Sequence, residues 1–347
     1  MSLQTLRLSW QVMTLKLRNP FRISYGVSTT RRAFWLRLAD DAGWGEAAIP
    51  PYYGISDEAM IAFWQTIAQR IKSFPDDPTD IPAWIGDDGP APARCALDLA
   101  LHDRIGRLRG MPLYQLLNLP KPKPLTTAFT LSIDTPEEMA RQATAVPNYP
   151  IIKLKLGAEG DVARVAAVRQ ARPDAILCVD ANGGWQPDEA VALAQAILPY
   201  DLAFIEQPVP KDEIEAMGQV QAAVNVPVVA DESVQTLANV EQLAAVGVQG
   251  INLKLMKLGG LAAALRVVDR AQELELRLML GCMMESSIGI TAMAHLAGLA
   301  EWLDLDAPLL IANDPFSGVQ IDANGRLHLP DRPGIGVIKK HSTDFAD

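Results

Sequence analysis

The feature that most constrains this chain is a set of eight short apolar segments that recur about every 25 residues after residue 125. Each has the length of a strand, and helix-period segments such as DVARVAAVRQAR lie between them. Strands that alternate with helices at this spacing form βα units and a parallel sheet. The segments are centred near residues 129, 154, 179, 205, 229, 253, 280 and 304.

Eight βα units with no glycine-rich dinucleotide fingerprint after the first favour a closed barrel. A doubly wound sheet is the alternative. The first 120 residues differ, because LRLSWQVMTLKL and RRAFWLRLAD look like paired strands that precede helices. The tail is strand-like again and carries an Asn-Gly hairpin signal at 324–325.

We therefore predict an α/β protein. Its core is a (β/α)7β TIM-type barrel, and an α+β capping domain is formed by the N-terminal region and the C-terminal tail. The predicted capping domain covers residues 1–120 and the barrel covers 121–312. Residues 313–347 return to the capping domain.

Composition excludes several classes of function. The formal net charge is -10 and the pI is near 5.0, which argues against nucleic acid or an anionic membrane as partner. No signal peptide or membrane-spanning run is visible, so we expect a cytoplasmic protein. Cys95, Cys178 and Cys282 lie far apart in apolar contexts, as reduced core cysteines do.

Charged residues stand where the predicted barrel strands end, which is where barrel enzymes place their chemistry. Charges in apolar strands are costly unless they are paired or bind a metal. Their recurrence at the same point of consecutive strands therefore indicates one functional site. In strand order they are Lys155, Asp180, Glu206, Asp231 and Lys254, followed by Asp304 and Asp306 at the eighth strand.

Three of these, Asp180, Glu206 and Asp231, end adjacent strands. Ligation by carboxylate oxygens alone is typical of Mg²⁺, with Mn²⁺ as a substitute. The four histidines lie elsewhere, so zinc is not expected.

Lys155 and Lys254 end the second and sixth strands, which are diametrically opposite in a ring of eight. Two bases that flank one carbon can remove a proton from one face and return it to the other. Lys153 lies on the same strand face as Lys155, and a neighbouring cation can lower a lysine pKa toward the working pH.

The series KLKLG, VDANGGW, IEQPV, ADES and INLKLMKLGG resembles the muconate-lactonizing subgroup of the enolase superfamily. The resemblance extends over essentially the whole chain. It implies Mg²⁺ on Asp180, Glu206 and Asp231, and Lys155 and Lys254 as the acid/base pair, in preference to Lys257. It further implies Lys153 near the substrate carboxylate, and Asn182 and Glu232 as groups that support the metal ligands.

The eighth strand carries DLDAP, which is similar to the Asp-x-Asp element with which dipeptide epimerases hold the free α-ammonium group. The resemblance implies that Asp304 and Asp306 bind this group, with the substrate carboxylate on the metal. The seventh strand ends in GCMMESS, without the histidine of the mandelate-racemase subgroup.

These features predict a Mg²⁺-dependent dipeptide epimerase that inverts the α-carbon of the C-terminal residue through a metal-stabilised enolate. Tyr25 and Gly26 stand where Ala-Glu epimerases have an arginine, and Arg31 and Arg32 read as surface residues. We expect Tyr25 to contact the substrate, with Tyr52, Tyr53 and Ile55 near it, and an uncharged second residue. The expected partner is a small dipeptide, and the chain is expected to form a homo-oligomer.

Three alternatives stay open. The first is an N-acylamino acid racemase, o-succinylbenzoate synthase or cycloisomerase, which shares every residue except the use of Asp304 and Asp306. The second is a Schiff-base aldolase, since a barrel lysine can act as a nucleophile. The third is a non-catalytic, metal-stabilised scaffold.

Overall fold

A computed structural model describes residues 8–39, 41–70, 73–122 and 125–340. The chain begins with an antiparallel sheet of three strands, followed by helices that cover one of its faces. The strands are β1 (Leu8–Ile23), β2 (Gly26–Leu38) and β3 (Gly43–Ala47), and the helices are α1 (Asp57–Arg70), α2 (Ile81–Ile85), α3 (Ala91–Arg109) and α4 (Leu113–Leu116).

Eight parallel strands follow, each near a predicted centre. They are β4 (Phe129–Leu131), β5 (Ile151–Lys155), β6 (Ile176–Asp180), β7 (Leu202–Glu206), β8 (Val228–Ala230), β9 (Gly250–Leu253), β10 (Arg277–Gly281) and β11 (Trp302–Asp304). The helices between and after them are α5 (Pro136–Ala145), α6 (Asp161–Ala171), α7 (Pro187–Ile197), α8 (Ile214–Ala223), α9 (Leu237–Ala245), α10 (Leu255–Leu258), α11 (Leu261–Glu273), α12 (Ser287–Ala294) and α13 (Ala307–Leu310).

The eight strands pair in chain order, from β4 to β11, without a reversal. A doubly wound sheet would reverse its strand order, so that alternative is excluded. The first and last strands meet as well, because the Ala128 N–H donates to the Leu303 carbonyl at 2.9 Å and the Leu305 N–H donates to Thr127 Oγ1 at 2.7 Å. The predicted TIM-type barrel with an N-terminal capping domain is confirmed.

The tail pairs with elements of both regions. Its short strands are β12 (Phe316–Ser317), β13 (Gln320–Ile321), β14 (Leu327–His328) and β15 (Ile338–Lys339), and β13 and β14 form the hairpin around Asn324-Gly325. Phe316 packs edge-on against Trp35 of β2, with ring centroids 5.1 Å apart. These contacts support the predicted return to the capping domain, while the domain boundaries stay a prediction.

A buried carboxylate joins the capping sheet to the barrel. Glu46 of β3 accepts hydrogen bonds from the Ser286 N–H at 2.8 Å and the Ser286 hydroxyl at 2.6 Å, and from the Gly289 N–H at 3.1 Å. These donors surround the first turn of α12, where unpaired N–H groups and the helix dipole favour a negative charge. The capping domain is thereby held over the carboxyl ends of the strands.

A second junction explains a glycine near the sixth barrel strand. Gly260 has φ +118°, and a Cβ there would lie 2.4 Å from the Asp98 side chain of α3. Asp98 uses the close approach to accept from the Leu261 N–H at 2.6 Å, at the start of α11. Any larger residue would push α3 away from the loop that follows Lys254.

Within the described ranges, no helix is long and apolar enough to cross a membrane.

His295 bridges three parts of the molecule. It is buried, its Nδ1 accepts from the Tyr114 N–H at 3.3 Å, and its Nε2–H donates to the Ile335 carbonyl at 3.1 Å. Burial lowers the pKa of His295 to about 4, from its ordinary 6.5. Unfolding therefore adds a proton between these two values, so the stabilisation is full above pH 6.5 and decreases as the pH falls to 4.

Replacing His295 with Leu should flatten this pH dependence. The variant should be less stable than the wild type at pH 7, because two buried backbone groups lose their partner. Between pH 6.5 and 4 its free energy of unfolding should fall less steeply, by up to about 1.4 kcal/mol per pH unit. Urea unfolding at several pH values measures the slopes, and His328→Leu, in an exposed hairpin, is the control. Equal slopes for wild type and His295→Leu would contradict the assignment.

Candidate active site

The site is set by the strand register. Lys155 of β5 pairs with Asp180 of β6, and Asp180 pairs with Glu206 of β7. Asp231 follows the last residue of β8. Parallel pairing in this register places all four side chains in one row at the carboxyl ends of the strands, where a barrel opens to its loops.

The three carboxylates of the row converge as predicted. Asp180, Glu206 and Asp231 are each fully buried, and each offers an oxygen within 4.8 Å of the others. Glu206 Oε2 is buried and accepts no hydrogen bond of normal geometry within the described ranges, although Lys153 Nζ lies 2.6 Å away. An oxygen of this kind beside two other carboxylates fits a hard divalent cation.

The surroundings shift the pKa values of the three carboxylates in different directions. Burial raises the pKa of Glu206 to about 8, and the nearby Asp180 adds to the rise. For Asp180 burial acts in the same direction, but the ammonium groups of Lys153 and Lys155 outweigh it and lower the pKa. For Asp231 the charges of Lys254 and Lys257 likewise outweigh burial, and the pKa is well below its usual range.

Two residues that the sequence reasoning missed orient these ligands. Asn252 Nδ2 donates to Glu206 Oε1 at 2.8 Å, and Gln207 Oε1 accepts from the Asp231 N–H at 2.8 Å. A signal for Asn252 exists, because it is a polar residue inside an apolar strand and lies two positions before Lys254, on the same face.

Two lysines face one cavity from opposite sides. Lys155 Nζ lies 2.6 Å from Asp180 Oδ2, and Lys254 Nζ lies 2.6 Å from Asp231 Oδ2. Both line the cavity, whose volume is about 70 Å³. Lys155 ends β5 and Lys254 follows β9, four strands further around the ring of eight.

Lys257 is placed differently. Its Nζ contacts Asp231 Oδ1 at 2.6 Å and the Asn252 carbonyl at 3.0 Å, and it also donates to the Asp231 carbonyl. All three hydrogens of its ammonium group are thus engaged, and it is not among the cavity-lining residues. Lys257 anchors Asp231.

Lys153 lies at the centre of the acidic cluster. Its Nζ is 2.7 Å from Asp304 Oδ2, 2.6 Å from Glu206 Oε2 and 3.1 Å from Asp180 Oδ2. Burial would lower the pKa of this fully buried lysine, but the three carboxylates raise it well above the ordinary value. Lys153 therefore links the metal-type carboxylates to β11.

Asp304 and Asp306 line the same cavity. Thr130 of β4 holds both, since its hydroxyl donates to Asp304 Oδ1 at 3.2 Å and its N–H donates to Asp306 Oδ2 at 2.8 Å. Burial and the adjacent Asp304 charge raise the pKa of Asp306 to about 7. A cation in the cavity would favour the charged form of both carboxyl groups.

Asn182 and Glu232 adjoin the row. The Asn182 N–H donates to Asp180 Oδ1 at 2.8 Å, and its Nδ2 donates to Glu232 Oε1 at 3.0 Å. Burial and the Asp231 charge raise the pKa of Glu232 to about 7. Both residues thus lie beside the carboxylate row, and their supporting role stays a prediction.

Aromatic residues of the capping domain cover the cavity. Tyr25, in the turn between β1 and β2, stacks on Tyr52 with ring centroids 4.2 Å apart. Tyr52 lines the cavity, whereas Tyr25 is not among the lining residues. Arg31, expected at the surface, also lines the cavity, while Arg32 is 61% exposed and pairs with Asp57. Alternation places Arg31 and Arg32 on opposite faces of β2, but it does not indicate which of them faces the cavity.

Comparisons with known proteins agree with this geometry. Residues 137–340 match the family described as enolase C-terminal domain-like. The chain belongs to the enolase superfamily. It is 36% identical to an L-Ala-D/L-Glu epimerase of Bacteroides thetaiotaomicron over 331 residues, which cover 94% of this chain and 86% of the relative.

Solved structures of similar proteins narrow the assignment within the superfamily. A dipeptide epimerase of Enterococcus faecalis, complexed with Mg and L-Leu-L-Tyr, superposes with a TM-score of 0.89 at 31% identity and covers 96% of this chain and 99% of its own. An N-succinyl Arg/Lys racemase of Bacillus cereus superposes with a TM-score of 0.91 at 26% identity. The superposition covers 97% of this chain and 96% of the racemase. The predicted assignment to the dipeptide epimerase group, among the isomerases, is confirmed.

Adding Mg²⁺ should stabilise the protein through Asp180, Glu206 and Asp231. At about 100 times the dissociation constant the stabilisation should reach about 2.7 kcal/mol, which is seen as a rise in Tm. Glu206→Gln should lose most of this rise, whereas Glu241→Gln, an exposed carboxylate outside the site, should keep it. An unchanged rise in Glu206→Gln would remove Glu206 from the metal ligands.

Proposed function

We propose that this protein is a magnesium-dependent dipeptide epimerase that inverts the α-carbon of the C-terminal residue by proton transfer between Lys155 and Lys254. The observation that carries the proposal is the placement of the two lysines on opposite sides of one small cavity. Asp304 and Asp306 line the same space, and each lysine also contacts a carboxylate of the cluster, Asp180 or Asp231. A cavity at the carboxyl ends of the barrel strands is where barrel enzymes bind small molecules.

Asp180, Glu206 and Asp231 would hold the cation, with Mn²⁺ as a possible substitute for Mg²⁺. When bound, the cation would supply positive charge that stabilises the enolate-like dianion and lowers the pKa of the neighbouring lysines. Lys257, Asn252 and Gln207 keep the carboxylates oriented, so the site needs little reorganisation.

The lysines perform the inversion. Lys155 or Lys254, in its neutral form, removes the α-proton from one face of the substrate. The other lysine, as an ammonium group, delivers a proton to the opposite face, and the two exchange roles in the reverse direction. Lys257 is excluded from this role because its three donors are engaged away from the cavity.

Asp304 and Asp306 would bind the free α-ammonium group of the substrate. Two adjacent carboxyl groups, one with a raised pKa, are stabilised in their charged forms by a cation at hydrogen-bond distance. Lys153 would lie near the substrate carboxylate, and Tyr25 would close the cavity through its stack on Tyr52.

The second candidate is a racemase of N-acylated amino acids, and the structural likeness to the N-succinyl Arg/Lys racemase favours keeping it. Such substrates have no free ammonium group. Two carboxylates in the cavity would leave them unpaired or repel an acidic acyl group. The requirement for a free amine therefore separates the two functions.

A screen of pooled L,L dipeptides in D₂O with Mg²⁺ tests the main proposal. Epimerisation through a lysine that exchanges with solvent should incorporate deuterium at the α-carbon, which raises the mass by about one unit. Mass spectrometry should detect label in dipeptides, and N-acylamino acids should stay unlabelled. Label in N-acylamino acids alone would support the second candidate, and no label in either pool would contradict both.

Asp304→Asn and Asp306→Asn test the ammonium site. Each should raise KM for dipeptides about 10-fold or more, because a charged partner of the ammonium group is lost. Steady-state kinetics with one labelled dipeptide and its N-acetyl derivative provide the measurement. If the variants and the wild type discriminate equally between the dipeptide and its N-acetyl derivative, Asp304 and Asp306 do not bind the ammonium group.

Two statements about the cellular setting belong to the same proposal. We expect the protein in the cytoplasm and in a symmetric homo-oligomer. Light scattering of the purified chain measures the oligomeric state, and a monomeric mass would contradict the latter.

A further inference from the structure

One cation in the active-site cavity has no anionic partner among the residues that the structure describes. Arg31 of β2 lines this cavity beside Tyr52 and is partly buried. Its Nη2 donates to the Ser28 hydroxyl, at 3.1 Å. Lys155 and Lys254, the other cavity-lining cations, each bind a carboxylate at 2.6 Å.

The Nε–H donor of the Arg31 guanidinium group is buried. Its Nε has no hydrogen-bond partner within the ranges that the structure describes, and no ion pair of those ranges includes Arg31. The cavity aspartates are held by other groups, Lys153 and Thr130. A buried charged donor without a partner is costly, whereas Arg32 next to it has its own partner in Asp57, at 2.6 Å.

The position of Arg31 identifies the part of a substrate that would reach it. With the α-carbon between Lys155 and Lys254 and its carboxylate toward the acidic cluster, the amine end extends toward Asp304 and Asp306. The remaining substituent, the side chain of the C-terminal residue, then points out of the barrel toward the capping domain. Arg31 and Tyr52 form that wall.

We infer that Arg31 binds a carboxylate on the side chain of the C-terminal residue, so that the preferred substrates are dipeptides with an acidic second residue. A planar guanidinium group and a carboxylate form charge-assisted, often paired hydrogen bonds. Met283, Met284 and Phe21 line the same cavity and suit the methylene groups that carry such a carboxylate. This inference rests on the proposed function and names its substrate class.

The inference departs from the expectation of an uncharged second residue. That expectation rested on Tyr25 and Gly26 in place of an arginine, and on an aromatic or apolar lining from Tyr52, Tyr53 and Ile55. Arg22, an arginine close to that loop, is exposed, while its neighbours Phe21 and Ile23 line the cavity. The cation comes instead from the middle of the second capping strand.

Substrate profiles of the wild type and Arg31→Met test the inference. The wild type should turn over L-Ala-L-Glu or L-Ala-L-Asp with a higher kcat/KM than L-Ala-L-Gln and L-Ala-L-Leu. In Arg31→Met the ratio of kcat/KM for the acidic dipeptide to that for L-Ala-L-Leu should fall about 10- to 100-fold. Arg32→Met, the matched control, should keep the wild-type ratio.

Each outcome separates the inference from the proposed function. Turnover of L-Ala-L-Leu together with a wild-type preference against acidic dipeptides would overturn the inference and leave the epimerase assignment intact. A preference for L-Glu-L-Ala over L-Ala-L-Glu would also overturn it, because Arg31 would then read the first residue. No turnover of any dipeptide would defeat the proposed function itself. If Arg31→Met does not fold, Arg31→Lys and the wild-type profile still decide, and circular dichroism verifies folding.

Discussion

The arrangement of this active site depends on one buried ammonium group. Lys153 has no exposed surface, and it contacts carboxylates from three different strands: Asp180, Glu206 and Asp304. Without a positive charge at this point, three acids would face one another in a medium of low dielectric constant, which is costly. Lys153 therefore allows the barrel to hold its acidic cluster and connects the cluster to the last strand.

Carboxylates and lysines are paired in the same way around the whole barrel mouth. Every cluster carboxylate has a lysine near it: Lys155 beside Asp180, Lys153 beside Glu206, and Lys254 and Lys257 beside Asp231. Strand register produces this order, because a shift of one residue would turn each charged side chain to the other face of its strand. Glu46 and Asp98 of the capping domain accept hydrogen bonds from Ser286 and Leu261 of the barrel, and these contacts hold the capping domain over the site.

The barrel could be predicted because eight apolar segments at regular spacing leave few alternative topologies. Most of the site could be predicted because charged residues recur at the ends of those segments. The sequence could not assign Gln207 or Thr130, because single polar residues of this kind carry no spacing signal of their own. Asn252 does carry one, since it lies two positions before Lys254 on the same strand face. Arg31 was missed for another reason. Alternation along β2 does not reveal which of two adjacent arginines faces the barrel, since that depends on how the capping sheet docks.

The central claim is that Lys155 and Lys254 act on opposite faces of one carbon. Exchange of the α-proton for deuterium, measured by NMR on each pure epimer of a dipeptide with Lys155→Ala and Lys254→Ala, tests it most directly. Each variant should lose inversion but still exchange one epimer through the lysine that remains, and the two variants should exchange opposite epimers. Exchange of the same epimer by both variants, or inversion at the wild-type rate in either, would contradict the account.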